Sequence, residues 1–210
     1  MSENAIINEG RKPRKVLFDM EKQTSTLYFS DGSNGDYRMR GGVCWPMSVE
    51  RTPGNPDIEG FILMAGQNVD TGKVFIFEQR TFVVIDHIVN QSGVIEYEGI
   101  SSWINKCWSK YYARDFFWNQ TREHAKSYRL EVIRSKMIDP KPQFIEVGWG
   151  DVAEVKHTVW RLVKTGKIWY EKGSQLHEEL DLIKKGQIES VPSVHAMMCL
   201  AYGLERYPIR

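Results

Sequence analysis

Long hydrophobic runs are missing from this chain. Nothing in it approaches the roughly 20 consecutive apolar residues that a membrane-spanning helix needs, and Met1–Gly10 lacks the apolar core of a secretory leader. Cysteine is scarce as well. The three present, Cys44, Cys107 and Cys199, are scattered and odd in number, so they make no disulfide framework. No Cys-x-x-Cys or spaced His pair suggests zinc, and a reduced core thiol is the ordinary role for each. Charge of one sign is absent too. A net charge of +1 leaves any nucleic-acid contact to a local patch. Internal repeats, low-complexity tracts and a Gly-x-x-x-x-Gly-Lys-Ser/Thr phosphate loop are not found. These absences point to a soluble, cytoplasmic protein with no membrane role.

What is present is a globular composition, 41% hydrophobic and 26% charged over 210 residues, enough for one well-buried core with a small appendage. Aromatics are plentiful, with seven Trp, nine Tyr and nine Phe, and their first role is to fill that core. The organising stretch is Phe61–Val89, read as three consecutive strands. Phe61–Met64 is an apolar run. Val74 and Ile76 alternate with Phe75 and Phe77, and Thr81–Val89 is again β-branched. Asp70-Thr71-Gly72 supplies turn chemistry between the first two. An apolar strand with an antiparallel neighbour fits the middle of a mixed sheet covered by helices.

Upstream, Val16–Met20 and Thr24–Ser30 read as a hairpin and Asp31–Asp36 as a loop. That loop resembles a calcium run only loosely and lacks the closing Glu. Arg11–Lys15 is a short basic cluster, and Gly41-Gly42 suggests a bend. The Pro- and Gly-rich Arg51–Gly60 is the linker candidate, which divides the chain into a β-rich arm, 1–59, and a main domain, 60–210. Downstream, Ser101 or Ser102 caps a helix to about Ala113, with Trp103, Ile104, Cys107, Trp108, Tyr111 and Tyr112 at helical spacing. A fourth strand follows at Phe116–Trp118, ending at Asn119, then a helix over Thr121–Lys136 and a fifth strand at Phe144–Val147. Asp151 caps a helix that Gly166 stops, Lys167–Tyr170 is extended, and Ser174 and Ser193 cap the last two helices. The sum is an α/β fold, a mixed sheet of about five strands flanked by helices, with a β-rich N-terminal arm.

Three strands followed by alternating helix and strand is the order of ribonuclease-H-like nucleases. The carboxyl half adds Gly148-Trp149-Gly150-Asp151 opening a helix, Gly166-Lys167-Ile168 after it, and Ser174-Gln175-Leu176-His177-Glu178-Glu179-Leu180. It closes on Val194-His195-Ala196-Met197-Met198-Cys199-Leu200-Ala201-Tyr202. Over about Gly60 to Arg206 this succession resembles the nuclease domain of tailed-phage terminase large subunits. There a helix ending Glu-Leu precedes a final helix written roughly Asp-His-Ala-x-Asp-Ala-Leu-Arg-Tyr. The resemblance implies an RNase-H-like fold and a two-metal site that cuts phosphodiesters. Carboxylates at the ends of the first and fourth strands, with one or two on the last helix, would hold Mg²⁺ or Mn²⁺. In this chain those positions fall on Asn68, Asn119, Val194 and Met198, none of them anionic. A neutral amide is a poor ligand for such hard cations. The implied protein is a stand-alone phage relative of the terminase nuclease that has lost hydrolysis, needs no cofactor, and works in the host cytoplasm on viral DNA packaging.

Two alternatives stay open. In an active nuclease, Asp70, Glu78 and Asp86 would converge to hold Mg²⁺ or Mn²⁺. In a protein-binding module, the aromatic surface would recognise a viral or host partner. Glu154-x-Lys156 carries the core of a restriction-type nuclease motif, but its surroundings are helical, where that motif needs a strand. His195 reads as a satisfied helix histidine once its neighbouring acid is gone. For DNA contact without cutting, the candidates are Lys106, Lys110 and Arg114 on one helix and Arg122, Lys126 and Arg129 on the next, with Trp and Tyr nearby for stacking. With its own initial Met and no phosphate loop, the chain is expected not to be a complete motor. Its expected partners are DNA, a packaging ATPase or portal protein.

Overall fold

The computed structural model describes residues 6–7, 13–44, 59–83, 87–89, 95–98, 100–119, 143–148, 152–185 and 192–207. Its N-terminal strands are β1 (Ile6–Ile7), β2 (Lys15–Asp19), β3 (Thr24–Tyr28) and β4 (Asn34–Cys44). Next come β5 (Glu59–Asn68), β6 (Val74–Val83), β7 (His87–Val89) and β8 (Ile95–Glu98). Helix α1 (Ile100–Tyr111) leads to β9 (Asp115–Trp118) and β10 (Gln143–Glu146). The chain continues through α2 (Val152–Lys164), β11 (Ile168–Glu171), α3 (Gln175–Lys184) and α4 (Pro192–Arg206).

The strand that organises the sheet is β4. It pairs antiparallel with β5 along Tyr37–Cys44, and on its other edge it has two partners in succession. Its first half, Asn34–Tyr37, pairs antiparallel with β3, and its second half, Arg40–Val43, pairs parallel with β9. The sheet therefore forks: one branch continues to β2, the other to β10, which lies parallel to β9. On the far side of β5 the order is β6, β11, β1. The mixed sheet flanked by helices expected from sequence is present, and β4, not read as a strand from the sequence, lies within it next to β5. The boundary expected at Glu59 falls between two paired strands of one sheet. Of the three-strand stretch Phe61–Val89, β5 and β6 join this sheet, whereas β7 pairs only with β8.

Alternation puts side chains on two packed faces. Phe61, Leu63, Ala65, Val74 and Ile76 pack under α2, α3 and α4. Ile62, Met64, Phe75, Phe77, Tyr37 and Met39 pack under Trp103, Ile104, Cys107 and Tyr111 of α1. Each such residue, fully buried, adds about 1.5–3 kcal/mol of transfer free energy. Gly41 and Gly42 lie inside β4 rather than at a bend, because both faces press on it there. A Cβ at Gly41 would strike the Phe116 ring, and one at Gly42 would strike the Ala196 carbonyl of α4 and lie 2.9 Å from Leu200 Cβ.

Several termini follow their sequence signals. Gly166, at φ 64°, ends α2 with Gly166 N–H to the Val163 carbonyl and Lys167 N–H to the Leu162 carbonyl. Ser174 Oγ accepts from His177 N–H at the start of α3. Ser193 differs. It lies within α4, whose first residue is Pro192, and its hydroxyl donates to Glu179 of α3. The end of α1 has no glycine. Tyr112 takes φ 59° there, costing about 1–2 kcal/mol for a residue with a Cβ, and its ring stacks on Phe18 with centroids 4.4 Å apart. The helix expected over Thr121–Lys136 lies outside the described residues.

Candidate functional site

The parallel pairing of β4 with β9 sets Val43 beside Trp118, so the two strands end side by side at Cys44 and Asn119. Helix α4 crosses directly over them, in contact at Gly42 and, through Gly203, on the Phe117 ring. Its residues Val194, Met198 and Cys199 are buried in the same cluster as Cys44. Asn119 Nδ2 donates to the Val147 carbonyl at 2.9 Å, tying the end of β9 to the end of β10. The Cys199 thiol is pushed well up, first by complete burial and then by the nearby Cys44, with the Asn119 backbone N–H acting the other way.

Cys44 lies beside Asn119 at the strand ends, whereas Asn68 does not. Asn68 pairs with Tyr37 near the other end of β4, seven register steps from the Cys44–Phe61 pair, or roughly 20 Å along the strand. Its role there is local. Oδ1 accepts from Thr71 N–H and from the Thr71 hydroxyl, both at 2.8 Å, fixing the β5–β6 turn. Asn119 follows the last residue of β9, and Val194 and Met198 lie on α4. What sequence reading missed was Cys44, and with it Cys199. The available signal was the alternation of Tyr37, Met39 and Val43 against Arg38, Arg40 and Cys44, a strand pattern interrupted only by the glycine pair.

Two of the three alternative carboxylates fall among the described residues. Asp70 is exposed in the β5–β6 turn. Glu78 faces α1, where it accepts from the Tyr111 hydroxyl at 2.6 Å and from Lys110 Nζ at 3.1 Å. Asp86 lies outside the described residues. Among those residues no group of three or more His, Cys, Asp or Glu side chains is placed to hold a metal ion. Glu154 and Lys156 fall on α2, a helix, as their surroundings predicted, and their side chains lie outside the description. His195 is half-buried on α4.

Burial, then the hydrogen bond and charge of Glu78, push the Tyr111 phenol above its ordinary 10.0. Burial and then Glu78 push the Cys107 thiol above 9.0. Below those ordinary values both groups are protonated whether folded or not, and neither makes stability depend on pH. As pH rises past them the unfolded chain ionises first and the fold loses stability. We expect Tm to decline between about pH 9 and 11, and Tyr111→Phe to flatten that decline while costing about 1–2 kcal/mol at neutral pH. An unchanged alkaline slope in Tyr111→Phe would clear the phenol.

Of the basic candidates, Lys106 is exposed on α1. Lys110 is 52% exposed, paired with Glu78 and set 4.5 Å from the Tyr111 ring centroid. Arg114 is exposed, lies over Trp108 at 5.8 Å and donates to Gln23 Oε1. Arg122, Lys126 and Arg129 lie outside the described residues. Sequence reading also missed Arg40, buried in the sheet. It donates to the Tyr207 carbonyl at the end of α4, 2.6 Å away, and its Nε lies 3.7 Å from Asp115 Oδ2. Burial pulls the Arg40 guanidinium below its usual range.

The same architecture occurs in the zinc-bound large terminase nuclease of thermophilic phage G20c. The two share a TM-score of 0.50 and 11% identity over 97% of this chain and 95% of that one. The fold is that of a large-terminase nuclease. A large terminase from another thermophilic bacteriophage matches at TM-score 0.51 and 8% identity, over 100% of this chain and 44% of that one. This chain therefore spans less than half of that larger protein. No protein-family model matches the chain, and no curated protein matches it in sequence.

Divalent metals are what the terminase-nuclease fold implies, and the residues at the strand ends do not fit them. Mg²⁺ and Mn²⁺ take anionic oxygen ligands. Here the strand and helix ends offer two buried thiols, an amide bonded elsewhere, and the hydrocarbon of Val194 and Met198. Thiols suit softer ions, and a structural zinc site needs four ligands.

Proposed function

We propose that this chain is a terminase-nuclease-like phage protein without hydrolytic activity, one that serves viral DNA packaging in the host cytoplasm by binding DNA or a motor protein. The observation that carries the reading is the lining at the ends of β4 and β9 and on α4. Cys44, Asn119, Val194, Met198 and Cys199 are all uncharged, and all but Asn119 are buried. A two-metal hydrolase needs clustered negative charge in that place to bind its ions and to activate water. A packed scaffold needs apolar filling, and this is what these side chains provide. The overall shape of a nucleic-acid enzyme supports a partner within the packaging machinery: DNA, the packaging ATPase or the portal protein. Among the described residues no helix is long and apolar enough to cross a membrane.

The test is plasmid relaxation with Mg²⁺ or Mn²⁺ across a range of protein concentrations. No cleavage above the buffer control is expected, alongside either salt-sensitive retention of DNA or co-purification with a motor component. Metal-dependent nicking that disappears in Asp70→Ala or Glu78→Ala would overturn the inactive reading and establish relocated acids.

A further inference from the structure

The fork in the sheet leaves an opening. Where β4 changes partner from β3 to β9, at Arg38 and Met39, no strand among the described residues fills its edge. A cleft of about 200 Å³ occupies the gap, lined among others by Gln23, Arg38, Tyr112, Arg114, Asp115 and Gln143. It sits at the amino-terminal ends of β9 and β10, opposite the end that carries Cys44 and Asn119.

Three features of this cleft favour a negatively charged occupant. Among the described lining residues Asp115 alone is acidic, and that carboxylate already faces the buried Arg40. Arg38 and Arg40 project from the same face of β4, two residues apart, and repel one another. Among the described residues no ion pair holds Arg38, so its charge is left for something else. Arg114 is preset: its guanidinium lies over the Trp108 ring and donates to the Gln23 side chain across the cleft. Gln23 and Tyr112, which line the same cleft, both take left-handed backbone conformations, φ 54° and 59°. Such conformations persist where the surroundings hold them, and they concentrate at binding sites.

We propose that the gap between β3 and β9 is an oxyanion site of the phosphate class, with Arg38 and Arg114 as its paired guanidinium donors. Planar guanidinium forks match phosphate oxygens two at a time, which a point-charge lysine does not. The Gln143 side chain adds a neutral polar group at the rim. The occupant is free phosphate or the phosphodiester of a polynucleotide. The half-buried Phe18, Tyr112 and Trp108 rings beside the cleft give the second source stacking surfaces. This site is independent of whether hydrolysis has been lost.

Calorimetric titration of the full chain with sodium phosphate, against chloride at equal ionic strength, tests it. We expect saturable binding that weakens at least tenfold in Arg38→Ala and in Arg114→Ala. Arg38→Lys should lose part of the affinity while retaining the charge, and Lys184→Ala, exposed on α3 and not among the cleft's lining, should leave phosphate binding unchanged. A thymidine oligonucleotide that competes with phosphate, with the same Arg38 dependence, identifies the polynucleotide as the source. Phosphate binding without such competition identifies the free ion. No saturable phosphate binding, or binding undiminished in Arg38→Ala with its circular dichroism intact, overturns the proposal.

Discussion

Gly42→Ala lowers the unfolding free energy by about 3 kcal/mol or more, an effect at the upper end of overpacking substitutions. For a chain of this size that is a fall in Tm of roughly 6–12 °C. The reason lies in what meets the new methyl. It would drive into the backbone carbonyl of Ala196, which cannot rotate away, while Leu200 Cβ closes the other side at 2.9 Å. Relief requires α4 to lift from β4, which opens the layer holding Cys44, Met198 and Cys199. Gly148→Ala is the matched control, because nothing lies within 4 Å of its added Cβ. Its effect stays within about 0.5 kcal/mol. Thermal unfolding followed by circular dichroism compares the two, and equal Tm values would mean that α4 does not press on β4 at Gly42.

Asp115→Ala costs about 2–3 kcal/mol, somewhat less than the loss of a partner in a fully buried ion pair, because Asp115 itself is 26% exposed. The cost arises at Arg40, which is left in the interior with only the Tyr207 carbonyl and the face of Phe117 for company. Removing that cation as well reverses most of the damage. Arg40→Met keeps the stem volume, and the Tyr207 carbonyl, on a residue 43% exposed, turns to water. The double variant Arg40→Met/Asp115→Ala is therefore more stable than Asp115→Ala alone, measured by urea midpoints at unchanged slope. If the double variant is no better, uncompensated charge is not the source of the loss.

Much of the fold could be read from local pattern. Phe61–Met64 and Val74–Phe77 announce buried strands by their apolar alternation, and β5 and β6 are those strands. The spacing of Trp103, Ile104, Cys107 and Tyr111 announces α1, and Gly166 its own left-handed helix end. What local pattern could not reveal was that β4 is a strand of the same sheet. Arg38, Arg40, Gly41 and Gly42 make β4 read as a polar, flexible segment, because Arg40 is held by distant partners and the glycines make room for Phe116 and α4. For that reason Asn68 was singled out and Cys44, which lies beside Asn119, was not. Asn119, Val194 and Met198 were singled out from the clear local signals of β9 and α4. The cleft at the fork was invisible, since it exists only where β3 and β9 meet the same edge.

The order in which the sheet is threaded has a kinetic consequence. Strands β2 to β6 can pair with successive neighbours in the chain, whereas β9 and β11 each join a parallel partner far upstream. Contacts across long separations form slowly, so Cys44 and Cys199 stay open to solvent until β9 and α4 arrive. Pulsed alkylation of these two thiols during refolding therefore acts as a stopwatch for the docking of the last layer.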